Sequence, residues 1–198
     1  ISLIDPTITY LLNATYEGNQ IKIIEGNGCT VSPPQTTVPP SCGTRTDIST
    51  DTDFNANDGN AQLLVSGSGQ YDWFSVEVLL PISNASDIVY TNWTVDGCKE
   101  TTTMNPDGYI YNFTNSSYYL IDDEIWDNTN CNNGANNMTY YRTDTKDIFN
   151  NSGFGVFLIQ DETDNSEINL DYVQLQFEYY SLVINTPTSN KEILNSLS

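Results

Sequence analysis

The sequence predicts an all-β fold, a β-sandwich of jelly-roll or immunoglobulin-like form led by an extended N-terminal strand. Two observations carry that reading. Apolar residues alternate with polar ones in short runs closed by Gly, Pro, Asn or Asp, and no repeat of helical period runs beyond two turns. Ten such runs fit into 198 residues, a length that suits one sandwich and can bury a core.

Thr7–Leu12 opens the series behind Asp5-Pro6, which fits an exposed or edge strand because proline cannot donate to a ladder. Gln20–Glu25 follows. Residues 31–41, Val-Ser-Pro-Pro-Gln-Thr-Thr-Val-Pro-Pro-Ser, lack the donors a strand needs and predict an extended, polyproline-like loop clamped by Cys29 and Cys42. Residues 44–60 are polar and rich in Asp and Asn, and read as a long surface loop. Ala61–Ser66 is a short strand, and Asp72–Leu80 is the clearest of all. There Phe74, Val76, Val78 and Leu80 face inward, with Ser75, Glu77 and Leu79 opposite. Asp87–Val95 sets Val89, Trp93 and Val95 on one face and Asn92 on the other. Gly108–Phe113, Ser117–Ile121, Met138–Arg142 and Phe154–Gln160 come next. Leu170–Ile184 closes the chain, with Val173, Leu175, Phe177 and Tyr179 inward against Gln174, Gln176 and Glu178. Residues 1–15 form the leading arm and residues 16–198 a single sandwich; no internal repeat is present.

Composition removes whole classes of function. Twenty-six acidic side chains against six basic ones give a net charge of −20 and a pI near 4.1. Such a surface repels phosphate backbones and has almost no cations with which to release counterions, which excludes nucleic-acid binding. There is no histidine, so neither a Ser-His-Asp or Cys-His site nor a His-ligated zinc can be built. Charged residues are only 16 %, against roughly 25 % in ordinary soluble domains. Polarity comes instead from 24 Asn, 23 Thr and 17 Ser.

No run approaches the roughly 20 apolar residues that span a bilayer, so no membrane span is expected. Ile1 in place of Met is what removal of a signal peptide leaves, and equally what trimming leaves. Cys29, Cys42, Cys98 and Cys131 contain no C-x-x-C pair and have no histidine beside them, so two disulfides and an oxidising compartment are the better account. Of three pairings we favour Cys29–Cys42 with Cys98–Cys131, since each pair brackets a turn-rich segment; the chain-entropy model assigns roughly 3 and 4 kcal/mol. N-x-S/T sequons stand at Asn13, Asn84, Asn92, Asn112, Asn115, Asn137 and Asn150. Alternation puts Asn92 and Asn112 opposite the apolar and aromatic faces of their strands, the outward placement that N-linked glycans need.

Candidate sites each have a plainer alternative. Residues 51–59, Asp-Thr-Asp-Phe-Asn-Ala-Asn-Asp-Gly, alternate oxygen donors as calcium loops do, but they lack the glycine and glutamate of an EF-hand, and a solvated polar loop is the simpler account. Residues 161–165 read as a hairpin turn. Asp122, Asp123, Glu124 and Asp127 flank Trp126, the minimum kit for a glycosidase; in so acidic a chain such clusters arise freely, and no enzyme activity is expected. Tyr109, Tyr111, Tyr118, Tyr119, Trp126, Tyr140 and Tyr141 either stack on sugars or fill strand faces. Lys22, Lys99, Lys146 and Lys191 read as solvated rather than as isopeptide partners. No cofactor and no metal are implied.

Residues 146–159 and 169–177, with the closing Asp171-Tyr172-Val173-Gln174-Leu175, resemble the final strands of extracellular jelly-roll domains. Ile1, Leu3, Ile4, Ile8, Tyr10, Leu11 and Leu12 make the leading arm apolar. Docked at home it is the first strand; entering a neighbour's open groove it becomes a donor strand, and that head-to-tail contact builds a filament. Asn/Thr/Ser/Tyr richness, scarce Lys and Arg, sequons, two disulfides and this arm together resemble archaeal thread-type extracellular filament subunits. The resemblance implies a glycosylated sandwich at the cell surface, polymerising with copies of itself through Ile1, Leu3, Ile4, Ile8, Tyr10 and Leu12. The Pro-rich residues 31–41 are a departure from that pattern. The alternative classes are a secreted carbohydrate-binding or adhesive module, and then a surface-layer or coat protein.

Overall fold

A computed structural model of the chain describes residues 7–13, 21–30, 37–49, 54, 61–65, 70–80, 84–99, 106–122, 126, 138–143, 145–161 and 167–180. These carry eleven strands: β1 Thr7–Asn13, β2 Ile21–Cys29, β3 Thr44–Asp47, β4 Gln62–Val65, β5 Tyr71–Leu79, β6 Ile88–Lys99, β7 Pro106–Asn112, β8 Ser117–Asp122, β9 Met138–Arg142, β10 Phe154–Asp161 and β11 Glu167–Tyr180. All pairings are antiparallel. The first sheet runs β1-β11-β6-β9, with β4 also on β11; the second runs β3-β2-β5-β10-β7-β8. The protein is an all-β sandwich, as the alternation predicts.

The sandwich closes over one large core. Trp93, Val95, Val173, Leu175 and Phe177 of the first sheet meet Ile23, Phe74, Val76, Val78, Phe157 and Ile159 of the second. Trp93 stacks on Phe149 and Phe157, with ring centroids 6.1 and 5.9 Å apart. The inward set read from β5 holds: Phe74, Val76 and Val78 are fully buried, while Leu79 on the other face is 48 % exposed. Val173, Leu175 and Phe177 of β11 are likewise sealed.

The second sheet is also apolar on its outer face. Ile24, Trp73, Tyr109, Tyr111, Tyr118, Val156 and Leu158 form a separate buried cluster there, with Val38, Cys42, Tyr71, Phe113 and Phe154 packed around it. Its register explains the grouping: Leu158 lies between Ser75 and Tyr109, and Gln160 between Trp73 and Asp107. Trp73 lies across Gly26 of β2, where an added Cβ would sit 1.8 Å from the indole Cε2, so only glycine permits this packing.

Three elements differ from expectation. Thr44–Asp47, read as loop, is strand β3, paired through Ile24↔Asp47 to Asn27↔Thr44. Its Thr-Arg-Thr-Asp sequence is polar because it is an edge strand, which leaves no apolar alternation to detect. β2 continues past Glu25 to Cys29 through a register shift between Gly26 and Cys29, with Gly28 at φ 84°. β6 runs on to Lys99, beyond the last alternating residue. Of the closing strand, Ser181–Ile184 fall outside the described residues.

The two kinds of apolar position differ sharply in expected cost. Phe157→Ala should lower the unfolding free energy by about 3–5 kcal/mol, the usual range for a buried aromatic. Leu120→Ala, at a side chain 52 % exposed, should stay within about 0.5 kcal/mol. Urea denaturation of the two variants side by side checks both.

Candidate functional site

β1 does not project from the body. It pairs along its full length with β11 of its own chain, Thr7↔Tyr180 through Asn13↔Gln174. Of the two placements the sequence leaves open for this arm, this is the one docked at home. Ile8, Tyr10 and Leu12 register opposite Tyr179, Phe177 and Leu175, and the last two are fully buried. Ile1, Leu3 and Ile4 lie outside the described residues. The same edge of β11 also receives β4, at Glu167↔Val65 to Leu170↔Gln62, while β6 occupies the opposite edge. Gln174–Tyr180 is therefore a strand-length slot beside β4, and β1 fills it.

The outer face of the second sheet is covered by the segment that ends at Cys42. The Cys29–Cys42 disulfide expected from the sequence is present, with the Cα atoms 5.1 Å apart. The indole Nε1–H of Trp73 donates to the Cys42 carbonyl at 3.1 Å. The Tyr118 hydroxyl donates to the Thr37 carbonyl at 3.4 Å, and Arg45 donates to the Pro40 carbonyl. Arg45 also pairs with Glu77 at 2.7 Å, and its guanidinium carbon lies 5.7 Å from the Trp73 ring centre. Ser75 donates to the same Glu77 oxygen at 3.1 Å. Burial pushes the Tyr118 phenol far up, helped by Glu77 and Tyr111 and opposed by Arg45, so it stays a protonated donor. Gln160, in the same row as Trp73, is fully buried and leaves both amide atoms without a partner.

Sequence reading missed this assembly. The available signal was Phe154–Ile159, apolar at nearly every position, which is the pattern of a strand covered on both faces.

The sequons separate by geometry. Asn84 is exposed, and its Oδ1 accepts from the Ser86 amide at 3.1 Å. Asn150 is half-buried; its Oδ1 accepts from the amides of Ser152 and Phe154 at 2.9 and 3.0 Å. In both, the oxygen is used by the local turn, and that fixes the amide's orientation. Asn115 is exposed and its Nδ2 donates to the Tyr119 hydroxyl. Asn92 is half-buried on the outer face of the first sheet, between Gln176 and Tyr141. Asn112 corrects its expected outward placement. It is 3 % exposed, its Nδ2 donates to Asp147 at 2.8 Å, and its Oδ1 accepts from the Asn115 amide at 2.8 Å. Asp147 in turn pairs with Arg142 at 3.1 Å. The Asn13 side chain and Asn137 fall outside the described residues.

Cys98 is also disulfide-bonded; Cys131 lies outside the described residues. Of the acidic cluster, Asp122 ends β8 and is exposed, while Trp126 is fully buried in the core. Asp123, Glu124 and Asp127 lie outside the described residues. Residues 51–59 do so as well, except Phe54, which is a core residue. Among the described residues no three His, Cys, Asp or Glu side chains gather to hold a metal. No described helix is long and apolar enough to cross a membrane.

The aromatics read as either stacking on sugars or filling strand faces are divided among several surroundings. Tyr109, Tyr111 and Tyr118 are buried under the Pro-rich segment, Tyr140 packs on the core, and exposed Tyr119 and Tyr141 belong to different sheets. Lys22 and Lys146 are exposed as expected, but Lys99 is only 5 % exposed, a correction to its solvated reading. A smaller open cluster lies on the outer face of the first sheet, where Tyr141, 58 % exposed, lies 5.5 Å from Tyr90 between ring centroids. Burial and then the Glu178 carboxylate push the Tyr90 phenol up.

No family model and no curated protein matches the chain. Among solved structures it is similar to the family 11 carbohydrate-binding module of the cellulosomal cellulase Lic26A-Cel5E of Clostridium thermocellum. That likeness has 8 % identity and a TM-score of 0.33, over 90 % of this chain and 98 % of the other. At that identity and score it says nothing of ligand or role.

Asn112 is the position where sequence pattern and geometry part most clearly. Asn112→Ala should cost about 1–3 kcal/mol by removing both the donor to half-buried Asp147 and the acceptor for the Asn115 amide. Glycopeptide mass spectrometry of protein secreted from an N-glycosylating host should find Asn112 bare.

Proposed function

We propose that the chain is a structural subunit of an extracellular, glycosylated surface assembly, with copies joined head to tail by exchange of β1, in the manner of the thread-type filament subunits it resembles. One observation carries the reading: β1 is the first described strand, lies at a sheet edge, and fills a slot on β11 already bounded by β4. A strand in that position can be supplied by its own chain or by another with the same seven backbone partners. Exchange at the two ends of successive copies does not close on itself and so propagates. The disulfides fit an oxidising exterior. Asn84 and Asn150, whose side-chain oxygens are occupied by their turns, are the sequons best oriented to carry glycans.

A Leu11→Cys/Gln176→Cys pair, directly opposite in register, tests the exchange. Protein refolded at high concentration and then oxidised should run as a ladder of multimers on a non-reducing gel and collapse on reduction. Cross-linked monomer alone would sink the assembly reading.

A second reading has its own support. Exposed Tyr141 and half-buried Tyr90, with half-buried Gln176 and Glu178 beside them, make a face of rings and polar groups, the chemistry that stacks on sugar rings and pairs with hydroxyls. A glycan on Asn92 would stand in the middle of that face, so the two readings compete. If the face binds saccharide, Asn92 should be unmodified and Tyr141→Ala should weaken retention on immobilised polysaccharide at least tenfold. Unchanged retention rejects the site.

A further inference from the structure

We infer, resting on the extracellular and glycosylated reading above, that Asn115 carries an N-linked glycan whose task is to cover the open edge of β8. Without that cover, β8 pairs with other copies of the chain.

An edge strand offers unpaired N–H and C=O groups to any other chain, and sandwiches blunt it with lysine, proline or shortness. This chain has four lysines and two arginines in all. β3 and β8 end the second sheet, while β1 and β9 end the first, with β4 also on β11. β3 and β4 are only four residues long, and β3 carries Arg45 and Asp47. β1, β8 and β9 have seven, six and five residues, uncharged except for Asp122 and Arg142 at the ends of β8 and β9. Each of these three adjoins a sequon. Asn13 ends β1, Asn137 directly precedes β9, and the Asn115 sequon takes its hydroxyl from Ser117, the first residue of β8. Sequons thus stand where edge charges are missing.

The geometry at β8 shows how a sugar would act. Tyr119 and Leu120 are 41 and 52 % exposed and, as consecutive strand residues, point to opposite sides of the edge. The turn before them is anchored from inside, because buried Asn112 accepts from the Asn115 amide at 2.8 Å and donates to Asp147. Ser116, at φ 53°, then brings the chain back into β8. The Asn115 side chain is left exposed, with Nδ2 donating to the Tyr119 hydroxyl. Two sequons three residues apart are therefore divided, Asn112 as anchor of the turn and Asn115 as acceptor. Glycosylation joins Nδ2 to the anomeric carbon of a polyisoprenoid phosphate-linked oligosaccharide; Nδ2 gives up one proton and the lipid phosphate leaves. The first sugar then begins beside Tyr119, whose ring offers it an apolar surface. Net repulsion between copies is no substitute, since its reach shrinks from about 10 Å at 0.1 M salt to about 3 Å at 1 M.

The test uses the full chain secreted from an N-glycosylating host. β1 is locked at home by the Leu11→Cys/Gln176→Cys pair, oxidised in dilute solution, so that strand exchange cannot contribute. Glycopeptide mass spectrometry should find Asn115 occupied along with Asn84 and Asn150. Asn115 bare beside occupied Asn84 and Asn150 overturns this inference alone, whereas all three bare overturns the glycosylated reading with it. Asn115→Gln and Ser117→Ala each remove the sequon, the second leaving the Asn115 side chain in place. In about 0.5 M salt, which screens the net charge, light scattering should show both variants forming multimers while the parent stays monomeric. Adding Leu120→Lys to either should restore the monomer, because an edge lysine resists pairing even though it makes the chain less negative. Variants that stay monomeric overturn the proposal. Multimers that persist with Leu120→Lys do so as well, since their contact lies elsewhere.

Discussion

The constraint on which the rest of the molecule depends is the double burial of the second sheet. A sheet whose centre carries Val156, Phe157, Leu158 and Ile159 in unbroken succession cannot leave either face in water without exposing several large side chains. One face is closed by the first sheet in the usual manner of a sandwich. The other has no third layer of secondary structure among the described residues, and a segment with few backbone donors, bent at residues 37–39, does the covering. Proline suits this task. A covering strand with free N–H groups would need acceptors that an aromatic face does not offer, whereas carbonyls alone can be met by an indole, a phenol and a guanidinium. The disulfide then holds both ends of the cover to β2. Gly43, at φ 80°, lets the chain turn sharply where an added Cβ would meet the Asn27 carbonyl at 2.4 Å.

Much of the first layer of this organisation was written in plain alternation. β5 and β11 show their faces directly, because one side of each is apolar and the other contains Ser, Glu or Gln. What periodicity does not give is which face meets solvent, or whether both are covered. In Tyr109-Ile110-Tyr111-Asn112 the aromatic side looks like the core side, and Asn112 looks outward. The fold reverses this: Ile110 faces the main core, the tyrosines face the covering segment, and Asn112 shares the inward side with Ile110. A two-residue period survives either assignment, so the error was built into the pattern. β3 was hidden for the opposite reason, since a four-residue polar edge strand has no apolar pattern at all.

The candidate sites were legible in proportion to how local their chemistry is. The Cys29–Cys42 bridge spans a short, proline-rich interval and could be anticipated from spacing. The covered outer face of the second sheet could not, because Arg45, Trp73 and Tyr118 lie on β3, β5 and β8 and meet only through strand order. The slot on β11 is similar. The sequence marks β1 as an apolar leading strand, yet the presence of β4 along the same edge, which turns an open edge into a slot of defined length, follows only from register.

Charge sets the terms on which any of these surfaces can be used. With −20 overall there are six cations; Arg45 pairs with Glu77, Arg142 pairs with Asp147, and Lys99 is buried. Most carboxylates therefore cannot be neutralised by pairing, and copies of the chain repel one another over roughly a Debye length, about 10 Å at 0.1 M salt. Nonspecific edge-to-edge association is suppressed by that field. Contacts that survive it must be short-ranged and must gain more than they lose. A strand set into a slot with seven register pairs satisfies that condition because it brings no unpaired charge into the interface. Acidification would weaken the repulsion without breaking many ion pairs, since the chain has only six cations with which to form them. Low pH thus favours close approach in this protein, where in an ordinary domain rich in paired carboxylates it would first favour unfolding.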